Sequence, residues 1–241
     1  MPSEPTLRPA VRSDLRAVGE LFWTARTAAA PVMPASVHSR ESVLDFYGGL
    51  DLGGRREVWL AEDADGALIG FLHLADDWLD DLYVHPAHQR DGVGSALLGL
   101  ARALRPAGFE LWVFAANTPA RAFYARHGLL ELETTDGSAN EERAPDVRLA
   151  WPGSDPLGFL RARIDAVDLL LGDLLARRAA LTRAVQHTKG PAPRDPDREA
   201  DIVRRVAALA PELGEQRVAR IVETIIGESL DAAREARRTP R

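Results

Sequence analysis

The sequence of 241 residues predicts two domains of different class, an α+β domain followed by an all-α domain. In the first half, stretches rich in β-branched and aromatic residues alternate with amphipathic segments, which is typical of a mixed, mostly antiparallel sheet with flanking helices. In the second half, apolar residues recur every three or four positions over long segments, which indicates helices alone. A stiff linker rich in Pro and Gly at 153–156 separates the halves, so we place the domains at 1–152 and 157–241.

Composition narrows the classes of function. The net charge is −6 and no basic run is present, which argues against nucleic acid as a partner because neutralising phosphates requires clustered cations. Residues up to Gly153 carry a charge of −8 and the rest +2, so small anions remain possible ligands of the second half. The chain has no Cys, and we interpret His85 and His88 as ordinary loop residues, so we expect no metal site. No apolar run reaches membrane-spanning length, and we therefore expect a cytoplasmic protein without a membrane partner.

Hydrophobic periodicity and turn-forming residues predict the helices and strands of the first domain. Ser13-Asp14 opens an amphipathic helix, and Asp63-Ala64-Asp65-Gly66 has the chemistry of a hairpin turn between two strands. The segment 28–37 is broken twice by Pro, and it is either a loop that lines a pocket or a plain connection. A further helix is predicted near 40–47, and strands are predicted at 6–8, 57–61, 67–74, 80–84, 110–115, 129–133 and 146–151.

A glycine-rich loop leads directly into the predicted helix 96–102. It consists of Gln89-Arg90-Asp91-Gly92-Val93-Gly94-Ser95. Successive backbone N–H groups at such a helix start form a concave anion site, and glycine allows phosphate to approach the backbone closely. The alternative is a tight turn without a ligand.

The surroundings of this loop favour the anion site. Leu82-Tyr83-Val84-His85-Pro86 precedes it, and Asn117 and Phe123-Tyr124-Ala125-Arg126-His127-Gly128 follow. The combination resembles the GCN5-related N-acetyltransferase family over about residues 5–152, although Leu129 replaces the usual Phe. The resemblance implies acetyl-CoA as co-substrate, with its pyrophosphate on the backbone of 89–95. It also implies that the pantetheine arm lies along the strand from Leu82 to Val84 and that Asn117 holds the far end of the arm.

Proton transfer in such an enzyme requires an acid and a base. Tyr124 matches the tyrosine that protonates the leaving thiolate in many members, a role that suits a phenol with an ordinary pKa near 10; the alternative is a packing tyrosine. The acceptor amine must lose a proton, and Asp80 and Asp81 are the nearest carboxylates in the sequence. Because alternate strand residues face opposite sides, we expect at most one of them to face the acceptor, and both can simply be solvated. The acceptor itself is unknown.

The second domain begins with one long predicted helix from Leu157 to Lys189. At about 1.5 Å per residue it measures roughly 50 Å, which exceeds what a compact segment of this size covers, so we expect a partner subunit to bury the remainder. Arg178 interrupts its heptad seam of Leu160, Ile164, Val167, Leu171, Leu174, Leu181 and Val185.

Three cations on this helix are candidates for anion binding. Lys189 is the one lysine beside twenty-nine arginines, which indicates either chance or a site that requires a point donor rather than a planar fork. Arg178 and Lys189 lie within about 20° of each other around the helix and about 16 Å apart along it, so one pocket can hold both. Arg161 lies about 25 Å from Arg178 and about 100° around the helix, which assigns it to a second pocket or to the pocket of a paired subunit.

After the breaker Gly190-Pro191-Ala192-Pro193, the segment Asp195-Pro196-Asp197-Arg198-Glu199 has the pattern of a helix start. Together with Leu160-Arg161, Ile164-Asp165, Arg178 and Lys189, it resembles the all-helical chorismate mutase family over about residues 155–236. The resemblance implies a three-helix domain in an intertwined homodimer. The implied reaction is the rearrangement of chorismate to prephenate, or of an amino analogue of chorismate.

The resemblance also implies roles for single residues. Arg178, together with Arg161 from the paired subunit, binds substrate carboxylates, and Lys189 donates to the ether oxygen. Glu199 contacts the ring substituent, Asp195 and Arg198 shape the loop, and Ser229 contacts a carboxylate. The alternative for 195–199 is a helix cap.

One departure from the mutase pattern concerns Ala233, where many members have Gln or Glu as a second donor to the ether oxygen. Either Gln186 substitutes, or activity is weakened, or the substrate differs. The rival interpretation is that the helical half is a non-catalytic dimerisation or ligand-sensing module. A third possibility is that the first half binds acyl-CoA without transferring acetyl.

Overall fold

A computed structural model describes residues 4–30, 32–189 and 195–238, and the chain divides into two compact units, one up to Arg161 and one from Ala162 onward. The division falls a few residues after the predicted linker. The reason is the side chain of Phe159, whose ring lies so close to Gly108 that a Cβ there would meet it at 2.7 Å. The first turn of the long helix therefore packs with the first unit.

Seven strands of the first unit form one sheet. The strand order is β1-β2-β3-β4-β5-β7-β6, and every neighbouring pair is antiparallel except β4 and β5. The predicted mixed, mostly antiparallel sheet is confirmed. The strands are β1 (Thr6–Pro9), β2 (Arg56–Glu62), β3 (Leu68–Ala75), β4 (Trp78–Val84), β5 (Phe109–Phe114), β6 (Leu130–Thr134) and β7 (Asp146–Trp151).

Four helices cover the two faces of this sheet, and each face has its own apolar core. They are α1 (Leu15–Ala28), α2 (Arg40–Gly48), α3 (Val93–Leu104) and α4 (Thr118–Arg126). Leu15 of α1 and Tyr47 of α2 pack with Phe71 on one face, whereas Leu97 of α3 packs with Leu72 on the other. Helix α3 begins at Val93 rather than at the predicted Ala96, so the end of the glycine-rich loop already forms its first turn.

Three helices account for the described part of the second unit. Helix α5 (Pro156–Lys189) crosses the division between the units, and α6 (Pro196–Leu209) and α7 (Glu215–Arg238) follow it. Val218, Val222 and Ile226 of α7 pack against Ile202 and Val203 of α6. The second domain is therefore all-α, as the heptad pattern predicts.

The apolar seam of α5 remains in contact with solvent in the single chain. Ile164 is 59 % exposed, Leu174 58 % and Leu181 68 %. Apolar side chains of this size are seldom left exposed in a row. Over the residues that the structure describes, no helix is both long and apolar enough to traverse a lipid bilayer.

Candidate active sites

The candidate site of the first unit is a gap in the sheet. Strands β4 and β5 pair only at Trp78 and Glu110 within the described chain, and they then diverge toward their carboxyl ends. A cavity of about 560 Å³ lies in this gap. Its volume falls in the range of small-molecule sites.

The cavity is lined from both faces of the sheet. Leu82 and Val113 belong to the core that includes α3, whereas Tyr83 belongs to the core under α1. Phe114 follows Val113 on β5, so its side chain faces the opposite side of the sheet. On that side the guanidinium of Arg26 on α1 lies 5.5 Å from the centre of the Phe114 ring. The cavity therefore extends to both faces of the sheet.

The glycine-rich loop forms the start of α3. Gly92 has φ 89° and Arg90 has φ 72°, and within the described residues no side chain caps the helix. The first N–H groups of a helix lack partners in the helix itself, so those of Val93, Gly94 and Ser95 can bind an anion. A Cβ on Gly92 would meet nothing within 4 Å, so space for a ligand remains in front of the loop. These features fit a diphosphate group.

His127 lies beside the same helix start. Its Nε2 is 3.1 Å from Ser95 Oγ. Burial lowers the pKa of His127, and the charges of Arg102 and Arg126 lower it further. We expect the imidazole to be neutral at physiological pH, so its role beside Ser95 is hydrogen bonding.

The predicted pantetheine site is the free edge of β4. On one side, β4 pairs with β3: Val84, Tyr83 and Leu82 lie opposite Gly70, Phe71 and Leu72. The other edge of β4 faces the gap, where backbone groups need partners. The edge thus offers amide groups to an extended, amide-containing ligand.

Asn117 and Tyr124 reach the cavity from α4. The side-chain oxygen of Asn117 caps this helix by accepting from the N–H of Ala120 at 3.2 Å, and both side chains line the cavity. Burial raises the pKa of Tyr124, with smaller contributions from Tyr83 and Asp81. The phenol is therefore protonated at physiological pH, and the raised pKa makes it a weaker acid than a free phenol.

The structure separates the two candidate bases through a β-bulge. His73 is opposite Asp81 and Leu74 is opposite Leu79, which leaves Asp80 as the extra residue on β4. The side chain of Asp80 is 41 % exposed and lines the cavity. Burial raises the pKa of Asp80; His73 opposes this effect and the charge of Asp81 adds to it.

Asp81 has a different environment. Its Oδ2 accepts a hydrogen bond from the Tyr47 hydroxyl at 2.9 Å, and His73 Nδ1 lies 3.2 Å away. His73 is 2 % exposed. Sequence reasoning missed Tyr47 and His73, although burial of His73 follows from its position between apolar neighbours on β3.

In the second unit, two predicted substrate contacts meet. Arg178 Nη1 on α5 donates to Ser229 Oγ on α7 at 2.5 Å and to the Ile225 carbonyl at 3.1 Å. Ser229 is buried, and Ala233, one turn further along, is 2 % exposed. This pair defines the candidate site of the helical unit.

The remaining predicted mutase residues take several positions. Asp195 caps α6 by accepting from the Arg198 N–H at 3.1 Å, so the cap interpretation of this segment is correct whatever its second role. Gln186 and Glu199 are half-buried, and Arg161 and Arg198 are exposed. Helix α5 ends at Lys189, whose side chain is not described, and the breaker Gly190-Pro191-Ala192-Pro193 lies outside the described residues.

Comparison with known proteins finds a family match in each unit. Residues 54–128 match the acetyltransferase (GNAT) domain, and residues 160–234 match chorismate mutase type II. The mycothiol acetyltransferase of Mycolicibacterium vanbaalenii is 36 % identical over 84 residues, which cover 33 % of this chain and 28 % of that protein. The match thus spans little more than a quarter of that relative.

Solved structures share the fold of the first unit. The apo form of YjaB from Escherichia coli is 18 % identical with a TM-score of 0.52, over 63 % of this chain and 100 % of its own. A phosphinothricin acetyltransferase from Sinorhizobium meliloti, in complex with AcCoA, is 17 % identical with a TM-score of 0.51, over 65 % of this chain and 92 % of its own. At these identities the likeness shows the fold alone.

Proposed function

We propose that this chain, which carries an acetyltransferase (GNAT) domain and a chorismate mutase type II domain, is a bifunctional enzyme. The first unit transfers acetyl from acetyl-CoA to an amine, and the second rearranges chorismate or an amino analogue of it. The observation that carries the first assignment is the cavity that Tyr124 and Asp80 both line, next to a helix start suited to a diphosphate.

Different residues of the first unit bind different parts of acetyl-CoA. Acetyl-CoA supplies an acyl thioester. The N–H groups at the start of α3 hold its diphosphate, and the free edge of β4 from Leu82 to Val84 holds its pantetheine arm. Asn117 orients the far end of that arm beside Tyr124.

The chemistry then needs one base and one acid. Asp80 accepts a proton from the acceptor ammonium, and the freed nitrogen forms a C–N bond with the thioester carbonyl carbon. The C–S bond breaks, Tyr124 donates its proton to the departing sulfur, and the second proton that the nitrogen loses restores the Tyr124 phenol. The products are the amide, the CoA thiol and protonated Asp80. The raised pKa of Asp80 makes it a stronger base than an ordinary Asp carboxylate.

The mutase reaction requires no proton transfer. The protein holds two substrate carboxylates and stabilises the charge that develops on the ether oxygen. We assign one carboxylate to Arg178 with Ser229, and the other to Arg161 of a paired subunit. Lys189 is assigned to the ether oxygen, and Glu199 to the ring substituent.

A homodimer through the helical unit follows from the same assignment. The apolar seam of α5 is exposed in the single chain, and a second copy would cover it with an identical seam. The dimer would also bring Arg161 to a site whose other cations come from the second subunit.

A second candidate function for the helical unit is ligand sensing without catalysis. Ala233 is buried and has no donor for the ether oxygen, and losing one such donor can cost on the order of 3 kcal/mol of transition-state stabilisation. Half-buried Gln186 is the nearest substitute in sequence, one turn before Lys189.

Two measurements on the full chain test these assignments. Calorimetry with acetyl-CoA should show binding, and its absence would remove the transferase. Loss of chorismate absorbance should show the mutase reaction. Binding of chorismate without its rearrangement would select the sensing function instead, and the same pair of assays with the amino analogue decides between the two substrates.

A further inference from the structure

The part of the cavity on the α1 face of the sheet is where an acceptor must bind, because the proposed acetyl-CoA site occupies the other face. Its apolar wall consists of Met33, Trp112 and Phe114, and its polar wall contains the carboxylates of Asp80, Glu133 and Asp146. Among the described residues that line the cavity, none is basic. The acceptor therefore faces acidic and aromatic groups together.

The charges of these three carboxylates are compensated to different degrees. Glu133 forms an ion pair with Arg148 at 2.6 Å, so its charge is largely balanced. Asp146 accepts hydrogen bonds from the Thr135 hydroxyl and from Asn140 Nδ2, the latter at 2.9 Å, and both donors are neutral. Because neutral donors do not cancel a negative charge, the Asp146 carboxylate still attracts cations.

Asp80 is the second carboxylate whose charge remains in the cavity. His73 Nδ1 lies 3.8 Å from Asp80 Oδ2. The charges of Arg56, Asp76 and Asp81 also act on Asp80. Two walls of the cavity, on β4 and at the start of β7, thus carry net negative charge, and a cleft of one sign concentrates ligands of the opposite sign.

The apolar wall indicates what accompanies the charge. Trp112 is 44 % exposed, and its ring stacks on Trp78 with centroids 6.5 Å apart and planes inclined by 9°. The guanidinium of Arg148, which is paired with Glu133, lies 6.0 Å from the centroid of the same ring, and the exposed part of Trp112 gives the cavity an apolar surface. Such a surface favours a flat or hydrocarbon body.

From this geometry we infer that the acetyl acceptor is a cationic amine with an apolar body and no anionic group. The inference rests on the proposed acetyl transfer and names the substrate class of its site. The acceptor ammonium is attracted to Asp80, and its body packs on Trp112 and Phe114. A carboxylate on the acceptor would approach Asp146 or Asp80, and no basic side chain of the described lining would receive it.

Matched pairs of amines test the inference on the full chain saturated with acetyl-CoA. Tryptamine and tryptophan, tyramine and tyrosine, and phenethylamine and phenylalanine each differ by one carboxylate. In each pair we expect kcat/KM for the amine to exceed that for the amino acid by at least about tenfold, a factor equal to about 1.4 kcal/mol. Calorimetry of the same compounds on the protein with bound CoA should give the same order.

A variant with its own control locates the effect. Asp146→Asn keeps the size of the side chain and removes its charge. It should therefore raise KM for the amines and reduce the difference in kcat/KM between each amine and its amino acid. Asp136→Asn, in the exposed loop before β7, should leave both unchanged. Acetyl-CoA affinity should be unaltered in both variants, which checks that they are folded.

The possible results distinguish a failure of the acceptor inference from a failure of the proposed acetyl transfer. If acetyl-CoA binds and the amino acids are acetylated as well as the amines, the inference about the acceptor is wrong and the transferase stands. If acetyl-CoA binds and neither class of acceptor binds, the inference is wrong and acyl-CoA binding without transfer becomes the better account. If acetyl-CoA itself fails to bind, the proposed transferase is wrong.

Discussion

Arg178 and Ser229 are 51 positions apart in the chain, and the guanidinium of the first donates a 2.5 Å hydrogen bond to the hydroxyl of the second. Ser229 in turn donates to the Ile225 carbonyl at 2.6 Å. The guanidinium is thereby held against α7, with further N–H groups available to a ligand. Two helices thus fix the direction in which this cation points.

We expect Arg178→Lys to lower the rate of chorismate rearrangement at least about tenfold, because an ammonium cannot bind Ser229 and a carboxylate with one planar fork. Loss of chorismate absorbance measures the rate. Arg177→Lys is the matched control, since Arg177 is exposed on the same helix and pairs with Asp173. Equal rates in the wild type and Arg178→Lys would remove Arg178 from the site.

The start of α3 is tested by Gly92→Glu. The new side chain would place bulk and negative charge at the proposed diphosphate site, so acetyl-CoA affinity should fall below detection in calorimetry. Gly66→Glu controls for backbone strain, because Gly66 also has a positive φ, 80°, in a turn with nothing within 4 Å of its Cβ direction. Unchanged affinity in Gly92→Glu would show that the loop is not the phosphate site.

Tyr124→Phe separates binding from chemistry. Acetyl-CoA affinity should stay nearly the same, whereas kcat should fall by about 10²-fold or more because the thiolate leaves without a proton donor. Steady-state kinetics with an accepted amine measure this. Wild-type turnover in the variant would assign Tyr124 to packing alone.

The neighbouring carboxylates of the bulge should differ in their effect on stability. The folded-state pKa of Asp80 is raised, so its ionised form is disfavoured by folding and opposes stability at neutral pH. Asp80→Ala should therefore unfold at the same or higher denaturant concentration at pH 7, and any gain should vanish as the pH falls and Asp80 is protonated. Asp81→Ala should lose about 1–3 kcal/mol of unfolding free energy, because it leaves the Tyr47 hydroxyl and His73 without their acceptor.

The same raised pKa has a kinetic consequence. Transferase activity should fall with decreasing pH as Asp80 is protonated, in a pH range above that of an ordinary Asp carboxylate. Asp80→Asn should remove this dependence together with most of the activity. An unchanged acid limb in Asp80→Asn would assign the base role elsewhere.

Mixed dimers test the arrangement of the helical site. Arg161→Ala and Lys189→Ala should each be nearly inactive, yet mixed subunits should regain one intact site per heterodimer if Arg161 acts across the dimer. Lys189→Arg should also lose rate while staying folded and dimeric, since a fork replaces a point donor. A mixture as inactive as its parents would place Arg161 and Lys189 in one subunit's site.

Local patterns in the sequence predict most of the helices and strands, because hydrophobic periodicity and turn-forming residues are visible within a few consecutive positions. The start of α3 is an instructive difference. Three residues that the sequence assigns to a loop, Val93, Gly94 and Ser95, are helical because Gly92 adopts a left-handed conformation and lets the helix begin at once. The sequence shows the glycine, but it does not show that its φ is positive.

Features that depend on strand pairing are beyond such patterns. Strand β7 inserts between β5 and β6, and no local signal specifies that partner. The bulge at Asp80 is equally hidden, because neither Gly nor Pro marks it. The expectation that at most one of Asp80 and Asp81 faces the acceptor assumed strict alternation along the strand, and the bulge interrupts that alternation. Both carboxylates lie near His73 Nδ1, at 3.8 and 3.2 Å, and of the two Asp80 lines the cavity.

The bulge on β4 makes position 80 independent of the ladder around it. Leu79 and Asp81 keep their β3 partners whatever side chain stands between them. Selection can therefore exchange that side chain without disturbing the strand that carries Leu82 and Val84. A substitution at position 80 therefore changes the proposed base while leaving the proposed acyl-CoA edge in place, which makes this position a selective probe of proton transfer.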